Sequence, residues 1–447
     1  MNNRLLGNRD VRESSKAPNT TLLVVAGGCA LLAALLWFTS PTVPTVHAQS
    51  TSLGSPLPGL TSDQSTLFNQ GLSTFDTKWD SFRGLGPVFT QAACFTCHGG
   101  GVSSPTGVPG QSSSVRGTRY GKWNPDGTFN YLDGTGTSPE NEGGPILHNQ
   151  TVAQFVNHMP HCHIPGEVVP SDATVVNQIR SPQLFGLGLI DSIPESAILA
   201  NAVDRGLGIK GVANMVPDQF GNLHVGRFGQ KASVPNLLFF TVSAMFNELG
   251  ITTPIFPNEH LPQGIGPIPS ACESSPNSPQ DPDGANSVSI YHFEVFLAPN
   301  TPLALTPAAQ VGQSLFESIG CNLCHVEHMQ TDPNATVSTD LNGGNLGPVA
   351  VLGNQTASLY SDLLLHDMGP GLSGGIPLGQ ATLTQWRTTP LWGLSSRRTF
   401  GFLHDGRTTS VDLAIRAHGG EASQVITNYS GLSSINRSDL LAFLNTL

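Results

Sequence analysis

Charge is what this sequence has least of. Only 20 of its 447 residues are Lys or Arg and 31 are Asp or Glu, for a formal charge of −11. No basic patch interrupts the chain, which excludes phosphate-backbone binding as its main activity and leaves no nucleic-acid partner. With so few charges the surface must be drawn from Ser, Thr, Asn and Gln. Long apolar runs are also missing: beyond the N-terminus none approaches the ~20 residues that span a bilayer. No calcium-loop motif is visible. The 50 glycines and 34 prolines follow no repeat period, so the chain is not collagen-like. They describe short helices joined by long loops.

The N-terminus is the exception to the shortage of apolar runs. Arg4, Arg9, Arg12 and Lys16 precede an apolar stretch from Leu22 to Phe38, and Val46-His47-Ala48 follows. Basic, apolar and small-residue regions in this order form an export signal, with cleavage expected after Ala48. An uncleaved anchor is the alternative, and only then would the chain contact a membrane. Either way the remainder is exported, to the periplasm.

Cysteine is limited to seven residues, and four of them repeat one pattern: Cys94-Phe95-Thr96-Cys97-His98 and Cys321-Asn322-Leu323-Cys324-His325. Two thiols three positions apart can add to the two vinyl groups of one porphyrin, and the adjacent histidine can reach its iron. No further cysteine pair completes a tetrahedral zinc site for either copy. The motifs therefore predict two covalently bound haem c groups, with His98 and His325 as proximal ligands. Cys29 lies in the leader, and Cys162 and Cys272 are left to pair or to remain buried thiols.

The expected organisation is a signal peptide over 1–48, a linker over 49–60, an N-terminal haem c domain over 61–300 with insertions, and a C-terminal haem c domain over 301–447. The predicted fold class is mainly α, two c-type cytochrome domains with long Gly/Pro-rich loops and room for a small β insertion. Helices are expected from Ser62, from Pro194 to Gly206, over Val234–Leu249 and over Val288–Ala298. Another should start at Thr306-Pro307, where a cap and a first-turn proline precede Val311, Leu315, Phe316 and Ile319 at helical spacing. It delivers the chain to Cys321. Ser410 should cap a helix from Val411, and a last helix is expected over Asp439–Leu444.

The sixth iron ligands are less defined. For the C-terminal haem the reading favours Met368, which lies far enough past His325 to return across the macrocycle, as Met329 does not. A thioether ligand would raise the reduction potential. For the N-terminal haem His148, His158, His161, His163 and His224 all compete, three of them in or beside Met159-Pro160-His161-Cys162-His163.

The order of Ser181–Ile190, Gly226–Ala232, Ser361–Gly369, Trp386–Gly393, Leu403–Arg407 and His418–Ala422 resembles the bacterial di-haem oxidoreductases, also labelled thiol oxidoreductases, a family similar to the di-haem cytochrome c peroxidases. The resemblance implies that electrons from a small soluble donor protein enter at the C-terminal haem, on His325 and Met368. The N-terminal haem, on His98, would then reduce hydrogen peroxide or a related small substrate. Glu142 and Glu195 are the candidate acid–base residues. Arg407 and Arg227 are candidates to pair with haem propionates, Arg227 near the reacting centre. A calcium ion is common in the resembling peroxidases. The chain departs from the family at Gln230, where tryptophan is common, and at Asp191, where glutamate is commoner. Two other functions compete: a pure electron carrier, and an oxidase acting on an organic or protein substrate.

Overall fold

Thr61 begins the ordered helices by capping Gln64, whose side chain returns the bond to the Thr61 backbone, a reciprocal cap that satisfies two free N–H groups. The computed structural model describes residues 52–100, 107–132, 146–155, 157–261, 267–273 and 279–447. The leader and Glu142 lie outside them. The α-helices run in order α1 (Ser62–Phe75), α2 (Cys94–His98), α3 (Leu187–Asp191), α4 (Glu195–Leu199), α5 (Leu237–Leu249), α6 (Ala285–Phe296), α7 (Pro307–Ser318), α8 (Val411–Arg416), α9 (Ser423–Ser430) and α10 (Ser434–Leu444). Thirteen short strands accompany them among the described residues, paired antiparallel in two- and three-stranded sheets.

The fold is thus mixed α and β rather than mainly α with one small insertion. Most of the strands are two to four residues long, too short to show an alternating pattern. The expected helix from Pro194 stops at Leu199, and α9 was not expected at all. The caps were better anticipated: Thr306 accepts from the Ala309 N–H, and Ser410 from the Leu413 N–H.

Two helix pairs give the core its rigid parts, and each crosses at a glycine. In α1, a Cβ on Gly71 would sit 2.2 Å from the Ser289 carbonyl of α6. Phe68 and Phe75 close on Phe293 there, with ring centroids 5.4 and 4.7 Å apart. In α7, a Cβ on Gly312 would sit 2.0 Å from the Asp439 carbonyl of α10. Phe316, Tyr360 and Phe443 pack edge to face at that crossing. Each buried aromatic contributes about 1.5–3 kcal/mol over exposure, so neither crossing can widen cheaply.

Residues 52–60, expected as a linker, are tied down: the Leu57 N–H donates to Phe296 O at 2.8 Å and the Ala298 N–H to Ser55 O at 3.0 Å. Cys162 and Cys272 form a disulfide across 110 residues of sequence. Two sheets aim side chains at the site. Arg116–Trp123 pairs with Val175–Arg180, matching Arg116 to Arg180. Leu365–Asp367 pairs with Gln385–Arg387, matching His366 to Trp386.

Candidate functional site

The sequence motifs open onto two separate cavities. The first, of about 260 Å³, is bordered by Cys94, Cys97 and His98. The second, of about 250 Å³, is bordered by Cys321, Cys324 and His325. All four thiols are free, and burial raises the pKa of each.

The two histidines are held by the same device. The His98 Nδ1–H donates to Pro182 O at 3.0 Å, and the His325 Nδ1–H donates to Tyr360 O at 2.9 Å. Burial lowers both imidazoles to about 4, so both are neutral with Nε2 carrying the lone pair. A backbone acceptor on the remote nitrogen is how an iron-ligating imidazole is oriented and its tautomer fixed. Two free thiols, an unspent Nε2 and an adjoining apolar cavity are the donor set a covalently attached haem requires. The residues present fit that group at both places.

The N-terminal cavity has acid at its edge. Glu294, from α6, is 6% exposed, and burial raises its carboxyl to about 7 against the opposing hydrogen bond from the Thr241 hydroxyl. Glu248, from α5, accepts the Thr90 hydroxyl at 2.5 Å. Both border the cavity, as does buried Met245. Among its described lining residues His98 is the only histidine.

The C-terminal cavity is richer in ligands. Met368 borders it, and so do His366, His404 and His418. His366 is clamped between Asp362 at 2.9 Å and Glu421 at 2.8 Å. Burial opposes its charge, but the hydrogen bonds it donates to Asp362 and Glu421 and its contact with Cys324 outweigh that and hold the imidazolium far above its usual pKa. A protonated ring with both nitrogens engaged offers iron nothing. His418, just past α8, repeats the arrangement of His98 and His325: its Nδ1–H donates to Ala414 O at 2.8 Å and burial keeps it neutral. Its Nε2 is unspent. In sequence His418 opens the His418–Ala422 motif and ends the helix expected from Val411, and nothing there marks it as a ligand.

Arg180, Pro182, Gln230 and Trp386 border both cavities. Trp386 is fixed on every side. Its Nε1–H donates to Leu372 O at 2.7 Å, the Lys231 ammonium lies 4.3 Å from its centroid, and His404 stacks on it. Gln230, at the position where the family often has tryptophan, instead donates to Arg180 O at 2.7 Å. An aromatic ring thus stands in the shared wall, contributed by a different segment.

Several expected residues lie elsewhere. Glu195 pairs with half-exposed His224 at 2.7 Å and borders neither cavity. Arg227 is buried but spends itself on the carbonyls of Ile190, Asp191 and Ile193 at the end of α3. Asp191 accepts the Leu237 N–H at the start of α5. Arg407 pairs with Asp405 at 2.6 Å near the surface and borders neither cavity. His148 donates to Asn247 O and contacts Glu167; like His158, His161, His163 and His224, it does not line the N-terminal cavity. Among the described residues no cluster of three or more His, Cys, Asp or Glu could hold a metal ion.

A protein family described as "Di-haem oxidoreductase, putative peroxidase" matches residues 157–447. That is more than half of the sequence, and the chain belongs to this family. The matched region includes the second thiol–histidine motif and not the first. No curated protein matches the sequence significantly. Among solved structures, similarity is found to a hydrazine synthase of Kuenenia stuttgartiensis, at 12% identity over 96% of this chain and 100% of that one, with a TM-score of 0.33. A MauG-like protein associated with microbial copper homeostasis is similar at 15% identity over 64% of this chain and 93% of that one, with a TM-score of 0.29. Likeness at these scores carries no argument about this chain.

Proposed function

We propose that the chain is an exported di-haem oxidoreductase whose two cavities divide the work. The residues of the N-terminal cavity would hold the haem that meets the substrate, and those of the C-terminal cavity a haem that would supply it with electrons. Hydrogen peroxide is the oxidant, taking two electrons and two protons to give two waters. The observation that carries this reading is the asymmetry of the linings. Glu294, its carboxyl raised to about 7 by burial, borders the N-terminal cavity, whereas the carboxylate at the C-terminal one, Glu421, is paired with His366 and a second neutral imidazole, His418, lines that cavity; each lining has a methionine, Met245 and Met368.

Cys94 and Cys97 would hold one haem and Cys321 and Cys324 the other, with His98 and His325 as iron ligands. Bound there, haem would supply an iron able to exchange single electrons and to meet a peroxide oxygen. As a further residue that would hold the haem iron at the C-terminal cavity His418 is the better supported, since its ring is oriented and neutral like His98 and His325; Met368 is its rival. Glu294, with its carboxyl raised to about 7, can carry a proton at neutral pH, and the Thr241 hydroxyl orients its Oε2. Glu248 stands beside it as the second acid–base candidate. Trp386 fills the wall between the cavities. A small soluble electron-donor protein would supply the electrons, and the −11 charge suits a basic one. The basic and apolar leader would direct the chain to the periplasm. No described helix is long and apolar enough to cross a membrane.

A second reading, an electron carrier without turnover, is favoured by one observation. Met245 is buried at the N-terminal cavity and could close the iron there. The test is to express the full chain in a host that attaches haem c, count covalent haem per chain, and add peroxide to protein and reduced donor. The expected result is two haems and catalytic donor oxidation, greatly weakened in E294Q or E248Q. Two haems without turnover, even after one-electron reduction, would leave the carrier reading standing.

A further inference from the structure

Four cations lie at the two cavities, and none forms an ion pair with a carboxylate among the described residues; Asp362 acts on Arg387 but is itself paired with His366. Arg180, Lys231 and Arg397 are 4%, 5% and 6% exposed. Arg387 is less covered as a residue, but its Nη1 is shut away from solvent and has no acceptor. Arg180 donates to Ser112 Oγ at 2.5 Å and to Leu403 O at 3.5 Å. Arg397 donates to Gln183 Oε1 at 2.7 Å and Pro390 O at 3.0 Å. Arg387 donates to Gly229 O at 2.9 Å, and Lys231 to Thr382 O and Gln385 O at 2.6 and 2.7 Å. Every one of these acceptors is neutral.

A buried cation without a counter-charge is expensive. Here Arg180 and Arg387 both act on Arg397 and disfavour its charge. All three border the C-terminal cavity, and Arg180 also borders the N-terminal one. The rest of the C-terminal lining includes Phe185, Leu187, Trp392 and Phe402. An apolar body with carboxylate arms matches that combination, and the arginine fork is shaped for a carboxylate. Resting on the di-haem reading above, we propose that Arg387 and Arg397 bind the propionates of the haem held by Cys321 and Cys324. Arg180 serves the propionates of both haems.

The assignment differs from the one the sequence suggested, in which Arg407 and Arg227 had this role. It also gives the two centres a common electrostatic residue. Removing a cation beside a haem disfavours its electron-rich state, so the reduction potential must fall.

The experiment compares R387Q, R397Q and R180Q with the corresponding lysine variants in the full haem-loaded chain. Covalent haem is counted first, then both potentials are titrated spectroelectrochemically, and the propionate bending bands are recorded by resonance Raman. R387Q and R397Q should lower the C-terminal potential alone, and R180Q should lower both, with propionate bands shifted at the affected haem. Lysine should recover most of the potential but not the band positions. Where a glutamine variant does not load, the bands of its lysine variant decide: shifted bands support the contact and unshifted bands overturn it. Loaded glutamine variants with wild-type potentials and bands would overturn the proposal, and R180Q moving one centre only would overturn the shared role. A wild-type chain lacking covalent haem would instead defeat the cofactor reading beneath it, a separable result.

Discussion

The indole of Trp386 lies flat on the imidazole of His404, ring centroids 3.8 Å apart and planes inclined by 11°. Trp386 borders both cavities and His404 borders the C-terminal one. The stack therefore forms a continuous π surface in the wall that electrons would have to cross. Trp386→Phe should slow electron equilibration between the two centres by at least about tenfold, an activation increment of about 1.4 kcal/mol. Rapid one-electron reduction followed by absorbance at each haem measures it. An unchanged rate in the loaded variant would remove Trp386 from the path.

The sixth ligand is open to spectroscopy. His418→Ala should change the near-infrared and spin-state signature of the C-terminal centre, while Met368→Leu should leave it untouched. The reverse pattern would assign the iron to Met368.

Proton supply at the N-terminal cavity has a direction in pH. Burial raises the Glu294 carboxyl to about 7, so it is protonated below that value and ionised above it. If it donates the proton, turnover should fall as pH rises through about 7. Glu294→Gln should lower the rate and abolish that limb of the profile. A wild-type profile flat across neutrality would exclude Glu294 as the acid.

The Cys162–Cys272 bridge closes a loop of 110 residues. In the chain-entropy view a loop of that size stabilises the fold by about 3–5 kcal/mol. The double alanine variant should lose stability of that order in denaturant titration, and added reductant should affect only the wild type.

At the crossing of α7 and α10 the limit is steric. Gly312→Ala would force a methyl group against the Asp439 carbonyl. Overpacking of this kind costs about 1–3 kcal/mol. A lowered melting temperature with intact haem attachment is expected, because the thiols follow α7 rather than lie within it.

How much of this could be read from the sequence depended on how local each signal was. The thiol–histidine motifs and the caps at Thr306 and Ser410 are written in consecutive residues. The cavity linings are not. Glu294 looks like one more position of an apolar helix, and only its packing against Thr241 marks it. Arg180, Arg387 and Arg397 lie in different segments, and nothing in their neighbours reveals that they converge. Glu195 and Arg407 had the right chemistry, but a nearby His224 and Asp405 engage them at the surface. The tryptophan absent at Gln230 was noticed, whereas the ring that stands in the wall comes from a strand more than a hundred residues later.

Pro182 accepts the His98 proton and also lines the C-terminal cavity. Arg180 and Pro182 each border both cavities. A change of contents or charge state at the C-terminal cavity that moved Pro182 would alter the length of the His98 hydrogen bond. It would thereby change how basic that imidazole is toward its metal. Were haem held at both sites as proposed, the contents of one cavity would bear on the imidazole of the other through the backbone as well as through the shared side chains.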